Sequence, residues 1–526
     1  MATDVLHHQP LMPHLLIEGL NRFHDEPCLF LGDKVASYRE VRETTSQMVQ
    51  ALQSKGLGVG SRIAVISANR PEVLSNIAAM QLNGCIGTPL HPMGSLDDHA
   101  YILEAAEIDT LIFDAPAFSE LARALEQRVP GLKNLLGFGP GKVGDDYLAL
   151  AAGFPPKPLL APDVSPDDIA SVNFTGGTTG KPKGVMSTYS VTSYMTQIQL
   201  AEWEFPNELR MLIATPLSHA AAAFLIPVLQ KGGAFYVMQR FNPVAFFDMV
   251  EQHRITCTML VPVMLYSLLD SPRAATADMS SMETIFYGAS PVSPARLLEG
   301  IRKWGSIFYQ FYGQSECPMV VANMRKAEHD LTRPQRLASC GRPSPWIHLS
   351  LRDPQGREVA KGAAGEICIR GPLVMKGYKD MPEQTAEAFA GGWLHTGDVG
   401  KLDEDGFLHI VDRTKDMIVT GGYNVYPREV EDVLATHEAV AQVVVVGVPD
   451  PQWGEAVKAV VVLKPGFAAG DALVASMQAL VKQAKGSVQS PKSVDFVPAI
   501  PLTPVGKPDK KAVRAQYWKG SDRGVG

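Results

Sequence analysis

Short runs of β-branched and aromatic residues alternate with helix-period stripes along most of this chain. That alternation restricts the fold more than any other feature. Residues 63–66 and 110–113 read as short buried strands, and residues 119–129 carry Leu121, Leu125 and Val129 on one helical stripe. Strands separated by helices in this way predict an α/β protein built of layers around largely parallel sheets. A length of 526 residues leaves room for two to four compact units at roughly 150 residues each. No internal repeat or low-complexity segment breaks the pattern.

The character changes near residue 413. Residues 406–411 read as a strand, and a polar, Gly-rich passage follows it as far as Pro427. Pro427 suits the first turn of a helix, with Glu429, Glu431 and Asp432 placed near its positive end. Residues 443–448 and 456–463 read as strands, and Leu473, Met477, Leu480 and Ala484 as a helical stripe. The expected organisation is a large multi-sheet α/β domain over residues 1–413 and a small α+β domain over residues 414–526.

Composition removes several classes of function. A net charge of -7 supplies no basic field for nucleic acid or an anionic membrane. Cysteines stand at 28, 85, 257, 317, 340 and 368, and no two have the spacing of a zinc or redox pair. Free thiols in a chain of this size fit a reducing compartment. The N-terminus lacks a cationic leader with a long apolar core. The apolar stretches 258–269 and 443–448 are too short to cross a bilayer, and Pro262 breaks the first. These features predict a cytoplasmic enzyme with no membrane span.

The strongest local signal is Thr175-Gly-Gly-Thr-Thr-Gly-Lys-Pro-Lys-Gly184, directly after the apolar Val172 and Phe174. Glycines let backbone N–H groups approach an anion, and threonine hydroxyls and lysine ammonium groups add donors. A Walker loop needs Ser or Thr straight after its Gly-Lys pair, and Pro182 stands there instead. On composition alone the segment is as readily an ordinary surface turn.

Further segments follow in order: Tyr312-Gly-Gln-Ser-Glu316, Gly392-Trp-Leu-His-Thr-Gly-Asp398, Asp412-Arg-Thr-Lys-Asp416, Gly421-Gly-Tyr-Asn-Val-Tyr-Pro427 and Pro504-Val-Gly-Lys507. With the loop, this set resembles the adenylate-forming superfamily of acyl- and aryl-CoA synthetases, peptide-synthetase adenylation domains and beetle luciferases. The acyl-CoA ligase branch is the most similar. The resemblance covers roughly residues 170–510 and implies two half-reactions. A carboxylate attacks the α-phosphorus of ATP to give acyl-AMP and pyrophosphate; CoA then takes the acyl group and expels AMP. Displacement at phosphorus requires in-line positioning and neutralised charge, so cations and backbone donors should dominate.

The resemblance also implies roles for individual residues. Lys507, otherwise an ordinary solvated charge, would bridge the acid's carboxylate and the α-phosphate. Glu316 would hold Mg²⁺ on the phosphates. Thr175, Gly176, Gly177, Thr178, Thr179, Gly180 and Lys183 would cradle them. Gly288, Ala289 and Ser290 would form the edge beneath adenine, with Tyr312, Gly313 and Ser315 beside it. Asp398 and Arg413, which could equally be a structural ion pair, would take the ribose hydroxyls. His219 and Ala220, with Gly313, would line the acyl pocket, and the alanines at 220–223 would leave it room. Lys415 would be the hinge of a mobile C-terminal cap. Its rotation would withdraw Lys507 and bring Gly421 and Gly422 to the pantetheine.

Three positions depart from the family's usual residues: Gly176 for Ser, Ser315 for Thr and Tyr189 for His. Cys317, next to Glu316, is not needed as a nucleophile. Residues 217–219 carry no Asp to pair with a substrate ammonium, which argues against an amino acid. The expected substrate is a hydrophobic fatty, aryl or alicyclic acid, as in fatty acid metabolism, taken by a monomer or a homodimer. The nearest alternative loads a carrier protein's pantetheine; Trp453-Gly-Glu455 resembles the CoA ligases more. A binder without turnover would not be expected to keep Lys507, Glu316, Asp398 and Arg413 together. Phosphotransfer is opposed by Pro182, and luciferase-like oxidation needs a special substrate.

Overall fold

The computed structural model describes residues 9–32, 34–175, 182–413, 416–420, 423–503 and 507–518, without the side chains of Leu31, Asp412, Arg413 and Asn424. Among these residues two large sheets dominate. One has eight strands, with Arg62–Ile66, Ile86–Pro89, Thr110–Phe113 and Asn134–Gly137 running parallel at its centre. The other has nine, including the parallel neighbours Arg210–Ile213, Cys257–Leu260, Thr284–Gly288 and Phe308–Gln314. A four-stranded antiparallel sheet, His348–Arg352, Gly365–Arg370, Leu394–Leu402 and Leu408–Arg413, completes the large domain.

Side-chain alternation explains why the central strands read as continuous apolar runs. In Arg210–Ile213, Met211 and Ile213 enter the main core while Leu212 enters a second one on the opposite face. In Thr110–Phe113, Ile112 enters the main core and Leu111 and Phe113 a third. Successive side chains of a strand leave on opposite faces, so a sheet covered on both sides needs apolar residues at every position. The main core draws from both large sheets and from the helices Met12–Arg22, Tyr38–Ser54 and Pro71–Leu82 between them.

The small domain repeats the arrangement on a smaller scale. One face of its sheet packs Val445, Val457 and Val461 against Val430, Leu434, Met477 and Val481. The other face sets Val444, Val446 and Val460 against Ile500 and Val513. The helix Pro427–Leu434 begins at its proline as expected, while two sequence readings need correction. Gly406 occupies a turn at φ +82°, and the strand begins at Leu408. The helix Asp471–Lys485 buries Met477 and Val481 and leaves Ala484 exposed. Steps of four from Leu473 describe its inner face better than the drifting steps expected.

Between the two domains, Glu429 Oε1 lies 3.5 Å from Lys401 Nζ of the large domain and 3.3 Å from Lys485 Nζ of the small one. Among the described residues no helix is long and apolar enough to cross a membrane. All six cysteines are buried and free.

A buried histidine ties stability to pH. His329 Nδ1 lies 2.8 Å from the Arg325 carbonyl and Nε2 2.9 Å from the Tyr287 hydroxyl. Burial pushes its pKa down from 6.5 to about 4. Between these values the unfolded chain takes up a proton that the folded chain refuses, so stability falls as pH drops through the window. From the shift, the loss between pH 7 and pH 5 should be about 2 kcal/mol. Urea unfolding at the two pH values measures it, and His329→Gln should flatten the slope.

Candidate active site

Ligand crevices of parallel sheets open beyond the carboxyl ends of their strands. Here the strands Thr284–Gly288 and Phe308–Gln314 end side by side, with Gly288 paired to Phe311. A Cβ at Gly288 would meet the Phe311 carbonyl oxygen. Ala289 follows at φ +65°, a left-handed conformation that is strained for a residue with a side chain. Phe308–Gln314 then turns back into Cys317–Met324, with Gln314 opposite Cys317, so that Ser315 and Glu316 form the tip. The register shifts around Gly313, where a Cβ would run into the Met319 backbone nitrogen. Only glycine fits there.

This hairpin reaches Asp398. The Tyr312 hydroxyl donates to Asp398 Oδ2 at 2.7 Å, and Gln314 Nε2 donates to the same oxygen at 2.6 Å. Asp398 is 5% exposed, so its charge depends on these donors more than on water. The Asp398 backbone pairs with that of Arg413 across the neighbouring strands. Gln314 also holds the Thr396 carbonyl at 3.0 Å. Sequence reasoning missed Gln314, although it lies within the segment that carries Tyr312 and Glu316.

A second group stands where the Gly-rich segment begins and ends. Thr175 and Lys183 face each other across the antiparallel strands Ile169–Thr175 and Lys183–Thr188. Gly176, Gly177, Thr178, Thr179 and Gly180 lie outside the described residues. Lys183 Nζ sits 4.7 Å from the centre of the Tyr378 ring, and the Tyr378 hydroxyl donates to Glu316 Oε1 at 3.0 Å. Tyr378 therefore links the end of the loop to the tip of the hairpin. No sequence segment pointed to it.

The remaining wall comes from His219 and the small domain. His219 precedes the short helical turn Ala220–Phe224, with its Nδ1 2.9 Å from Ser218 Oγ and its ring edge-to-face with His91 at 4.8 Å. Its surface is open to solvent, yet the surrounding protein is dense enough to disfavour the charged form. Burial, then the neighbouring His91 and Lys507, push its pKa down to about 4. The small domain thus brings Lys507 within electrostatic reach of His219. Lys507 is clasped through its backbone: its N–H donates to Thr503 Oγ1 at 3.1 Å and its carbonyl accepts from the Thr503 N–H at 2.7 Å. Of the four alanines, Ala221 is turned fully into the main core, and Ala220 and Ala223 pack partly against it.

Lys415, Gly421 and Gly422 lie outside the described residues. Their flanks are defined: Thr420 pairs with Tyr423 and also with Gly454. Glu455 Oε2 accepts from the Val419 N–H at 3.1 Å, while its Oε1 binds Arg514 at 2.6 Å. Val419, Tyr423 and Trp453 are exposed around this hairpin. Cys317 is fully buried, which pushes its thiol pKa far up and removes it as a nucleophile. Tyr189 is buried at the start of its helix, and its hydroxyl has no partner among the described residues.

Comparison with known proteins identifies the family and the fold. Residues 17–379 match the AMP-binding enzyme family, and residues 429–507 match the AMP-binding enzyme C-terminal domain. A medium/long-chain-fatty-acid–CoA ligase of Mycobacterium tuberculosis, FadD8, is 52% identical over 98% of this chain and 91% of its own length. A feruloyl-CoA synthase of Amycolatopsis is 35% identical over 92% of this chain and 95% of its own. Among solved structures, the amide bond synthetase McbA from Marinactinospora thermotolerans superposes with a TM-score of 0.88 at 33% identity, covering 96% of this chain and 99% of its own.

Proposed function

We propose, for a chain that belongs to the AMP-binding enzyme family and is an ATP-dependent ligase joining hydrophobic carboxylic acids to CoA, that the preferred acid is a medium- or long-chain fatty acid. The 52% identity with a medium/long-chain-fatty-acid–CoA ligase, sustained over nearly the whole chain, carries this reading. The acid-binding side fits an apolar substrate. His219 is held neutral at physiological pH, and the adjoining alanine turn adds no charge to pair with a second polar group on the acid.

The surroundings of each residue support the part proposed for it. Lys507 supplies the ammonium that meets the carboxylate and the α-phosphate; a neutral His219 beside it does not compete for either anion. Asp398 accepts from the ribose hydroxyls, Arg413 assists from the paired strand, and Tyr312 and Gln314 hold Asp398 in place. Gly288, Ala289 and Ser290 form the edge under adenine, with Gly313 and Ser315 beside it. Lys183 and Thr175, with the loop between them, take the phosphates. The donor set at Glu316 suits a hard divalent cation: a carboxylate with one oxygen held by the Tyr378 hydroxyl, whose ring Lys183 also meets. Glu316 would hold Mg²⁺, which when bound neutralises phosphate charge during displacement.

The second half-reaction needs a different wall, because pyrophosphate leaves and a long thiol enters. The small domain turns about Lys415, at a boundary between residues 413 and 416. The turn carries Lys507 away and brings in the hairpin that holds Gly421 and Gly422. Exposed Val419, Tyr423 and Trp453 supply apolar surface for that new contact. Buried free thiols fit residence in the cytoplasm.

The experiment is CoA-dependent AMP formation across saturated fatty acids of increasing length, with ferulate, benzoates and bulky alicyclic acids alongside. Highest kcat/KM on medium or long chains, with a matching thioester, supports the assignment. Preference for an aromatic or alicyclic acid would move the substrate class. Pyrophosphate release without thioester would move the acceptor to a carrier protein or an amine.

A further inference from the structure

Behind Asp398, three side chains meet that the ligase reaction does not use. Glu366 and Cys368 alternate on the strand Gly365–Arg370 and so leave it on the same face. His395 is the register partner of Cys368 on the adjacent strand Leu394–Leu402. One donor atom from each of the three lies within 4.8 Å of the others. His395 Nδ1 is 2.7 Å from Glu366 Oε2 and 3.6 Å from Cys368 Sγ.

We propose that Glu366, Cys368 and His395 form a binding site for one thiophilic divalent cation of the zinc class, beside the turn that carries Asp398. Four physical arguments support it. The first is spacing. Ordinary Zn–S and Zn–N lengths at a tetrahedral angle place sulfur and nitrogen about 3.6 Å apart, which is the separation found. The carboxylate must swing out by several tenths of an ångström, since it now sits at hydrogen-bonding distance from the ring.

The second is the tautomer. His395 Nε2 lies 3.1 Å from the Ala390 carbonyl, which accepts the proton on that nitrogen. In the neutral ring this leaves Nδ1 as the lone-pair donor aimed at the cluster, the usual outer support of a metal-bound imidazole. Nδ1 and the Glu366 carboxylate face each other at 2.7 Å, and a cation between them would draw on a lone pair from each.

The third is charge. A thiolate and a carboxylate neutralise a divalent ion, so the complex enters a half-buried place without net charge. The cation binds the thiolate, so binding releases the thiol proton to solvent. The fourth is access. Cys368 is buried, while the His395 and Glu366 side chains keep 23% and 26% exposure. An ion can enter on that side and retain water as its fourth ligand.

A backbone hydrogen bond joins the site to the turn that carries Asp398. Glu366 Oε1 accepts from the Gly397 N–H at 2.9 Å, one residue before Asp398.

Titration of the full-length, chelator-stripped protein with Co²⁺, without nucleotide, tests the site. A thiolate-to-cobalt charge-transfer band in the near ultraviolet should saturate at one ion per chain. Zn²⁺ should abolish it, and Mg²⁺ at the same concentration should leave it unchanged. Cys368→Ser should lose the band, and His395→Ala should weaken Co²⁺ binding by about tenfold or more. Absence of a band at saturating Co²⁺ would overturn the proposal. So would a band that persists in Cys368→Ser, because another cysteine would then be the ligand. If circular dichroism shows Cys368→Ser to be unfolded, His395→Ala decides, since its ring is partly exposed; unchanged affinity there rejects the site.

Discussion

Lys507→Ala should lose acyl-adenylate formation by about 10²- to 10³-fold, the scale set by removal of one preorganised donor from a developing charge. Transfer of the acyl group from preformed acyl-AMP to CoA should change by no more than a few-fold. The contrast follows from where Lys507 is held. Its backbone is clasped by Thr503, so truncating the side chain leaves the turn in place. With the small domain seated as it is here, the Lys507 charge reaches the His219 side of the cleft. Isotope exchange between pyrophosphate and ATP reads the first step, and AMP release from synthetic acyl-AMP reads the second. Equal losses in both would contradict the division of labour.

Asp398→Ala should raise the KM for ATP by about 30- to 100-fold, since hydrogen bonds to a charged group contribute about 1.5–3 kcal/mol each. The same change strips the Tyr312 hydroxyl and the Gln314 amide of their shared acceptor. A lower melting temperature should therefore accompany the kinetic effect. Asp398→Asn should restore part of the melting temperature, because its amide oxygen can still accept from Tyr312 and Gln314, but little of the KM, because the charge-assisted bonds to the ribose hydroxyls are lost. Direct titration with a non-hydrolysable ATP analogue separates binding from folding. An unchanged nucleotide affinity combined with a lower melting temperature would reduce Asp398 to a structural anchor.

The strands at 63–66 and 110–113 were legible because both faces of their sheet are covered, which leaves the sequence few polar positions, Thr110 among them, to confuse the pattern. The inner face of the helix Asp471–Lys485 was misread at one end because only steps of four from Leu473 stay on it, and Val481 lay off the expected stripe. In the site, Asp398, Glu316 and Lys507 stand in segments that announce themselves. Their supports do not. Tyr378 meets Glu316 across 62 residues, and Gln314 meets Asp398 across 84. Nothing local marks such partners, because their role depends on which strands the sheets place together. Tyr378 carries no motif, and Glu366 and His395 become a pair only through the register of two antiparallel strands.

Glu429 has a consequence for how easily the two domains part. It shares one carboxylate oxygen between Lys401 of the large domain and Lys485 of its own. In the rotation proposed for the small domain, Glu429 would give up one partner and keep the other, so no carboxylate would be stranded and no compensating bond would have to form at once. A partly exposed pair of this kind contributes about 1 kcal/mol or less. At that contact, the two orientations are therefore separated by little more than thermal energy. The balance is left to what occupies the cleft, and loss of pyrophosphate can tip a population that is not locked in either direction. A firmer clamp at this position would speed neither half-reaction; it would strand the enzyme after the first.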